Sequence, residues 1–234
     1  MANFKTHYQV AIIASATLSA TFLAMDTISP TQAIQTFLLG SFSGLIPDVD
    51  SPHSTSISVA FRLFSFFLAI LLVLAKAQTY SLIEMLAAVL LLYGFMQIIV
   101  INLFRKLTKH RGLFHSAPAC LLYGLSIILF STHILHVDSF TAWLFGFFGS
   151  FGYFVHLFLD EAYSVDLSNQ RIKKSFGTAL KLFSFQNNIA IIGSLMLYLF
   201  LAISFYVAPN PEPFLNTFFT HKTWEQFLTA LMPY

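Results

Sequence analysis

The sequence predicts an all-α fold: a polytopic membrane helix bundle of about seven transmembrane segments, followed by a C-terminal amphipathic tail outside the membrane. Three observations predict it. Of 234 residues, 57% are hydrophobic and 9% charged, where an ordinary soluble domain carries about 25% charged residues. Phenylalanine alone occurs 28 times. Apolar runs of about twenty residues, the length that crosses a bilayer, recur along the chain. The start, MANFKTHYQV, holds one lysine ahead of an Ala-, Ser- and Thr-rich run, which reads as a first membrane helix rather than a cleavable signal. The single Cys120 excludes an internal disulfide. A net charge of +2 gives no argument for a nucleic-acid partner. No long linker, low-complexity tract or internal repeat divides the chain, so the expected layout is one membrane domain over 1–208 and an interfacial tail over 209–234.

The segments follow in order. The first is expected over Tyr8–Met25. The second, Thr31–Pro47, is short and holds Gly40, Gly44 and Pro47, so it either spans or re-enters. The third covers Ile57–Ala75 and the fourth Leu82–Phe104. The fifth runs over Ala117–His136, with Ser116 as N-cap and Pro118 in the first turn. The sixth covers Phe140–Leu159 and the seventh Asn188–Val207. In the tail, prolines break the chain before TWEQFLTALM, which reads as a short helix lying on the membrane surface.

Lysine and arginine placement sets the orientation. The loop before the fifth segment holds Arg105, Lys106, Lys109 and Arg111, and the loop after the sixth holds Arg171, Lys173, Lys174 and Lys181. Both are expected on the cytoplasmic side, with Lys5 and Arg62 agreeing and Lys76 a mild exception. The loops at Met25–Thr31 and His133–Phe140 carry neither residue type. Seven spans then put the N-terminus inside and the tail outside.

On that map the polar residues converge. His7 opens the first segment at its inner end. Asp48, Asp50 and His53, from PDVDSPH, follow the inner end of the second. His110 and His115, from HRGLFHS, precede the fifth. His156 and Asp160, from HLFLD, close the sixth. Taken singly, each has an ordinary explanation, as a helix end, a turn or a loop residue. Their arrival at one membrane face is what points to a metal site. His156 and Asp160 stand at i and i+4, hence on one helix face. Gly112 permits a turn that returns His110 towards His115. Histidine with carboxylate suits Zn, Mn or Fe better than Ca or Mg. An Asp at a helix C-terminus also meets an unfavourable dipole, which a nearby cation offsets. His133, His136, His221 and Glu161 read as ordinary surface residues.

THYQVA, GLIPDVDSPHS, HRGLFHS and GYFVHLFLDE occur in this order over roughly residues 4–165. In these stretches the chain resembles the YdjM-like inner-membrane proteins, whose usual label is membrane-bound metal-dependent hydrolase. The resemblance implies a bacterial inner-membrane location and hydrolase activity. It also implies that His7, Asp48, Asp50, His53, His110, His115, His156 and Asp160 are the metal-binding set. Val10 departs from the pattern, which would place a small residue such as Gly three positions after His7.

The resulting expectation is a hydrolase acting on an amphiphilic lipid, phosphorylated for preference, at the cytoplasmic face. So many candidate ligands exceed one catalytic zinc, so one or two divalent transition-metal ions are expected, Zn ahead of Mn or Fe, activating water. Asp50 or Asp48 would take the proton, and Arg111 would hold a phosphate or developing oxyanion. Lys173 and Lys174 would attract an anionic head group. The alternatives are a ceramidase-type lipid amidase, a metal transporter, which would want polar residues through the membrane to both faces, and a scaffold with a structural metal.

Overall fold

Seven helices are present among the described residues: α1 (Phe4–Ala24), α2 (Pro30–Ser43), α3 (Leu82–Gly94), α4 (Ala117–His133), α5 (Ser139–Ala162), α6 (Asn188–Val207) and α7 (Glu212–Phe219). A short 3-10 turn covers Pro47–Asp50, and β1 (Val165–Asp166) pairs antiparallel with β2 (Arg171–Ile172). The computed structural model describes residues 4–50, 80–102, 114–166, 171–172, 180–185 and 187–219, with single positions at 58, 61–62, 65–66, 69, 73, 177 and 225. The expected third segment and TWEQFLTALM therefore lie largely outside the described residues. The chain divides into two units, Met1–Pro47 with Leu113–Tyr234, and Asp48–Gly112.

In the first unit, nothing in FKTHYQV breaks a helix, so α1 begins at Phe4 rather than Tyr8 and takes in His7. Its buried His7, Ala11, Ser15 and Ser19 recur every fourth residue and form one stripe. Helix α2 starts at a capping box: the Ser29 hydroxyl accepts from the Gln32 N–H, and the Gln32 side chain accepts from the Ser29 N–H. Pro30 occupies its first turn, where no N–H is needed. The helix stops at Gly44, and its 14 residues reach about 21 Å, short of the about 30 Å hydrocarbon layer. Ser116 caps α4 by accepting from the Ala119 N–H. Asp138 caps α5 and accepts from both the N–H and the hydroxyl of Thr141.

Helix α5 is the hub, packing on α1, α2, α4 and α7, while α6 leans on α4. Leu144 and Phe148 of α5 are buried with Ile28, Ala33 and Phe214. Tyr153 and Leu157 are buried with Cys120. The tail contributes Phe214 because Pro211 and Pro213 start a helix as well as break the chain. Asn210 accepts from the Glu212 N–H there, and proline is tolerated in a first turn.

Between membrane helices, close backbone approach and interhelical hydrogen bonds replace hydrophobic burial as the adhesive. A Cβ on Gly152 would strike the Gly40 carbonyl, and one on Gly44 would strike Ala11. Polar bonds run along the same seam. The Ser19 and Thr36 hydroxyls are 2.5 Å apart, Ser19 donates to the Ala33 carbonyl at 2.8 Å, and Gln32 donates to Thr141 at 3.0 Å. The outer surface is the reverse. Helix α6 exposes Ile189, Ile192, Leu195, Leu199, Phe200 and Ile203 and buries Ser194. In water such a face would drive association; here it meets lipid. Four described helical stretches are long and apolar enough to cross a membrane, Lys5–Ala24, Leu82–Val100, Ser139–Ala162 and Asn188–Val207, with Ala117–His133 apolar but shorter.

In the second unit, Ser81 and Glu84 form another capping box at the start of α3. The expected single helix changes to a wider π turn over Phe95–Val100, where Gln97 donates to the Ser65 hydroxyl at 2.9 Å.

Gly152→Ala tests the seam. Overpacking a tight contact costs typically about 1–3 kcal/mol. The variant should melt earlier in detergent than wild type. A companion Gly94→Ala, where a Cβ meets nothing within 4 Å among the described residues, should melt no earlier than wild type.

Candidate metal centre

Four polar side chains meet at one end of the first unit. His7 comes from the first turns of α1, His115 from the residue before the α4 cap, and His156 and Asp160 from the last turns of α5. Local chemistry fixes each. The i, i+4 spacing puts His156 and Asp160 on one face. His115 is clamped on both sides: the Tyr153 hydroxyl donates to the Phe114 carbonyl at 2.6 Å, and the Ala117 N–H donates to the Lys181 carbonyl at 3.2 Å.

The Asp160 carboxylate is the meeting point. His7 Nε2 lies 3.3 Å from its Oδ1, while His115 Nε2 and His156 Nε2 lie 3.5 and 4.0 Å from its Oδ2. The His7 and His156 rings stack with centroids 3.9 Å apart. His156 Nδ1 sits 2.7 Å from the Gly44 carbonyl. A carbonyl only accepts, so Nδ1 carries the proton, and in the neutral ring Nε2 presents a lone pair towards Asp160. His7, His115, His156 and Asp160 expose 2%, 0%, 1% and 1% of their surfaces. Both Asp160 oxygens and His7 Nδ1 are buried without a hydrogen-bond partner among the described residues.

A lone pair facing a buried carboxylate is unfavourable unless a positive charge lies between them. The donor set fits a divalent transition metal. Three imidazoles and a carboxylate are ligands for Zn, Mn or Fe. A ring whose far nitrogen donates to a backbone carbonyl is the usual support for a metal-binding histidine. Ligands about 2.0–2.2 Å from one tetrahedral zinc lie roughly 3.4 Å from each other, close to the distances around Asp160. The ligand atoms of His7, His156 and Asp160 all fall within 4.8 Å of one another.

The remaining sequence candidates are placed as follows. Asp48 is half-buried in the 3-10 turn and belongs to the second unit, and Asp50 closes that turn. His53, His110, Arg111, Lys173 and Lys174 lie outside the described residues. Helix α5 continues to Ala162, so Asp160 lies within its last turn rather than at its end, and Glu161 Oε1 accepts from the Gly177 N–H. Sequence reasoning missed the role of Gly44, whose carbonyl orients His156. The signal was present: GSFSG, with Gly40 and Gly44 four apart, is the small-residue pattern of close helix packing.

A family model, YdjM inner membrane protein, matches residues 1–209. The chain belongs to this family. The family match takes in α1 to α6 and all four residues of the centre, and stops before α7. No curated protein and no solved structure matches the chain.

Metal binding to the folded state alone stabilises it by about 2.7 kcal/mol at a hundredfold excess over Kd. Added Zn²⁺ should therefore raise the melting temperature of chelator-treated wild type. It should leave Asp160→Ala unmoved, because that variant lacks the carboxylate on which the imidazoles converge.

Proposed function

We propose that this YdjM-family protein is a membrane-embedded, metal-dependent hydrolase. Its substrate is an amphiphilic, phosphorylated lipid, and its site lies at the cytoplasmic face of the inner membrane. The observation that carries the reading is the Asp160 carboxylate held among His7, His115 and His156, with His156 oriented by Gly44. A bound divalent ion there supplies Lewis-acid activation of water. The imidazoles hold their lone pairs inward, Asp160 neutralises charge, and the close α2–α5 seam keeps the Gly44 carbonyl on His156 Nδ1. By sequence alone, Asp50 or Asp48 is assigned as the proton acceptor and Arg111 as the group for the phosphate. In the reaction, water adds at phosphorus, the ester oxygen leaves as the lipid alcohol, and inorganic phosphate departs.

Two features support the substrate class and its side of the membrane. The segment with Lys181 is fastened by its backbone to the start of α4, next to His115, which brings a cation to the same end of the bundle. Lys5 stands there too, while the far ends of α1, α4 and α5, at Met25–Ser29 and Ile134–Asp138, carry no Lys or Arg. That asymmetry supports a cytoplasmic N-terminus, and in a seven-span arrangement an outer tail.

One observation favours a second reading. Structural metal sites are closed by four protein ligands, whereas catalytic ones keep a position open. The convergent donors His7, His156 and Asp160, with His115 beside them, are fully enclosed, as a scaffold's metal would be.

Release of inorganic phosphate from phosphatidic acid vesicles by the Zn²⁺-loaded protein separates the two. The expected outcome is turnover that EDTA abolishes and that falls by about a hundredfold or more in Asp160→Ala. Metal-dependent melting with no phosphate release would favour the structural site. Fatty-acid release from ceramide instead would favour the amidase.

A further inference from the structure

An apolar groove of about 320 Å³ runs beside the centre, lined by Ile46, Phe114, Ala119, Leu122, Tyr123 and Tyr153, with Leu197 of α6 on its outer wall. Its inner end is built from the same three pieces of chain that set the histidines. Phe114 directly precedes His115. Tyr153 lies one helical turn before His156. Ile46 is two residues beyond Gly44, whose carbonyl orients His156.

The lining hydroxyls are spent within the protein. Tyr153 donates to the Phe114 carbonyl, Tyr123 pairs with Ser43 at 3.1 Å, and Ser126 donates to the Leu122 carbonyl at 2.8 Å. The groove therefore presents mainly hydrocarbon and ring faces, its lining hydroxyls being already paired within the protein. Its outer wall is continuous with the lipid-facing surface, where Leu121, Leu195 and Met196 are exposed. Along α4 it leads from Ala119, close to His115, through Leu122 to Ser126 one turn further on.

We infer that this groove holds one acyl chain of a membrane lipid, with the lipid head group at the Asp160 centre. The inference rests on the hydrolase reading for the identity of the head group. The occupant enters from the bilayer, so its chain stays in hydrocarbon while its polar end lies where Phe114 adjoins His115. The groove is then a ruler on chain length, with Ser126 towards its far end.

The test uses the full chain in lipid nanodiscs with Zn²⁺. The probe is a non-hydrolysable hexadecyl phosphonate carrying a diazirine on its chain. Photolysis and peptide mass spectrometry should place the label on residues 114–126 or on Leu197. Leu122→Trp fills the groove and should lower that labelling by about fivefold or more. Ser126 is exposed on α4, so Ser126→Phe keeps the variant series informative if Leu122→Trp fails to fold. It should reduce labelling by the hexadecyl probe and spare a decyl one. Label spread over α6 at equal yield in wild type and both variants would overturn the inference. Labelling is read without turnover. Groove-specific labelling with no hydrolysis of any lipid phosphate would retain the groove and remove the hydrolase reading. Phosphate release with no groove labelling would do the reverse.

Discussion

A carboxylate buried among three imidazoles is the interaction on which the rest of this structure depends. Asp160 and its neighbours are taken out of solvent at a membrane helix end, where desolvation is costly and the α5 dipole adds an unfavourable contribution for an anion. Breaking a buried charge pair by removing one partner typically costs about 3–5 kcal/mol. Such a cluster persists only where its charges balance and its geometry is enforced. The Gly44 carbonyl supplies part of that enforcement by fixing which nitrogen of His156 holds the proton.

Enforcement extends through the packing. The Gly40–Gly152 approach sets how near α2 can lie to α5, and so how near Gly44 lies to His156. The Gln32–Thr141 bond holds α2 to α5 further along, and the Ser19–Thr36 bond holds α1 to α2. A metal transporter would want polar groups running through the membrane to both faces. The seam does carry polar side chains away from the centre, but Ser19, Thr36 and Gln32 bond to neighbouring helices, and buried Ala11 separates His7 from Ser15 on α1. These groups serve as adhesive. Small and polar residues line the seam between α1, α2 and α5, while apolar side chains cover the outer surface.

Much of this was legible in the sequence. Helix α6 matched its expected bounds, and Ser116 and Pro118 marked the start of α4, because apolar runs and cap residues are local signals. The i, i+4 spacing of His156 and Asp160 was equally local. What lay beyond reach was tertiary. Nothing near His7 in sequence shows that it stacks on His156, and Val10 even weakened its match to the family pattern. The Gly44 contact needed α2 and α5 to be laid side by side. Helix α7 was hidden by prolines that read as breakers but occupy a first turn. The π turn after α3 carries no sequence mark beyond Gln97.

The most direct measurement of the central claim is the metal content of the purified protein by elemental mass spectrometry, for wild type, His115→Ala and Asp160→Ala, each shown to be folded by circular dichroism. The expected result is about one to two transition-metal equivalents in wild type and a loss of metal in both variants. Wild type that stays empty when purified without chelator and after reconstitution would contradict it. The cluster would then be a proton-balanced helix junction.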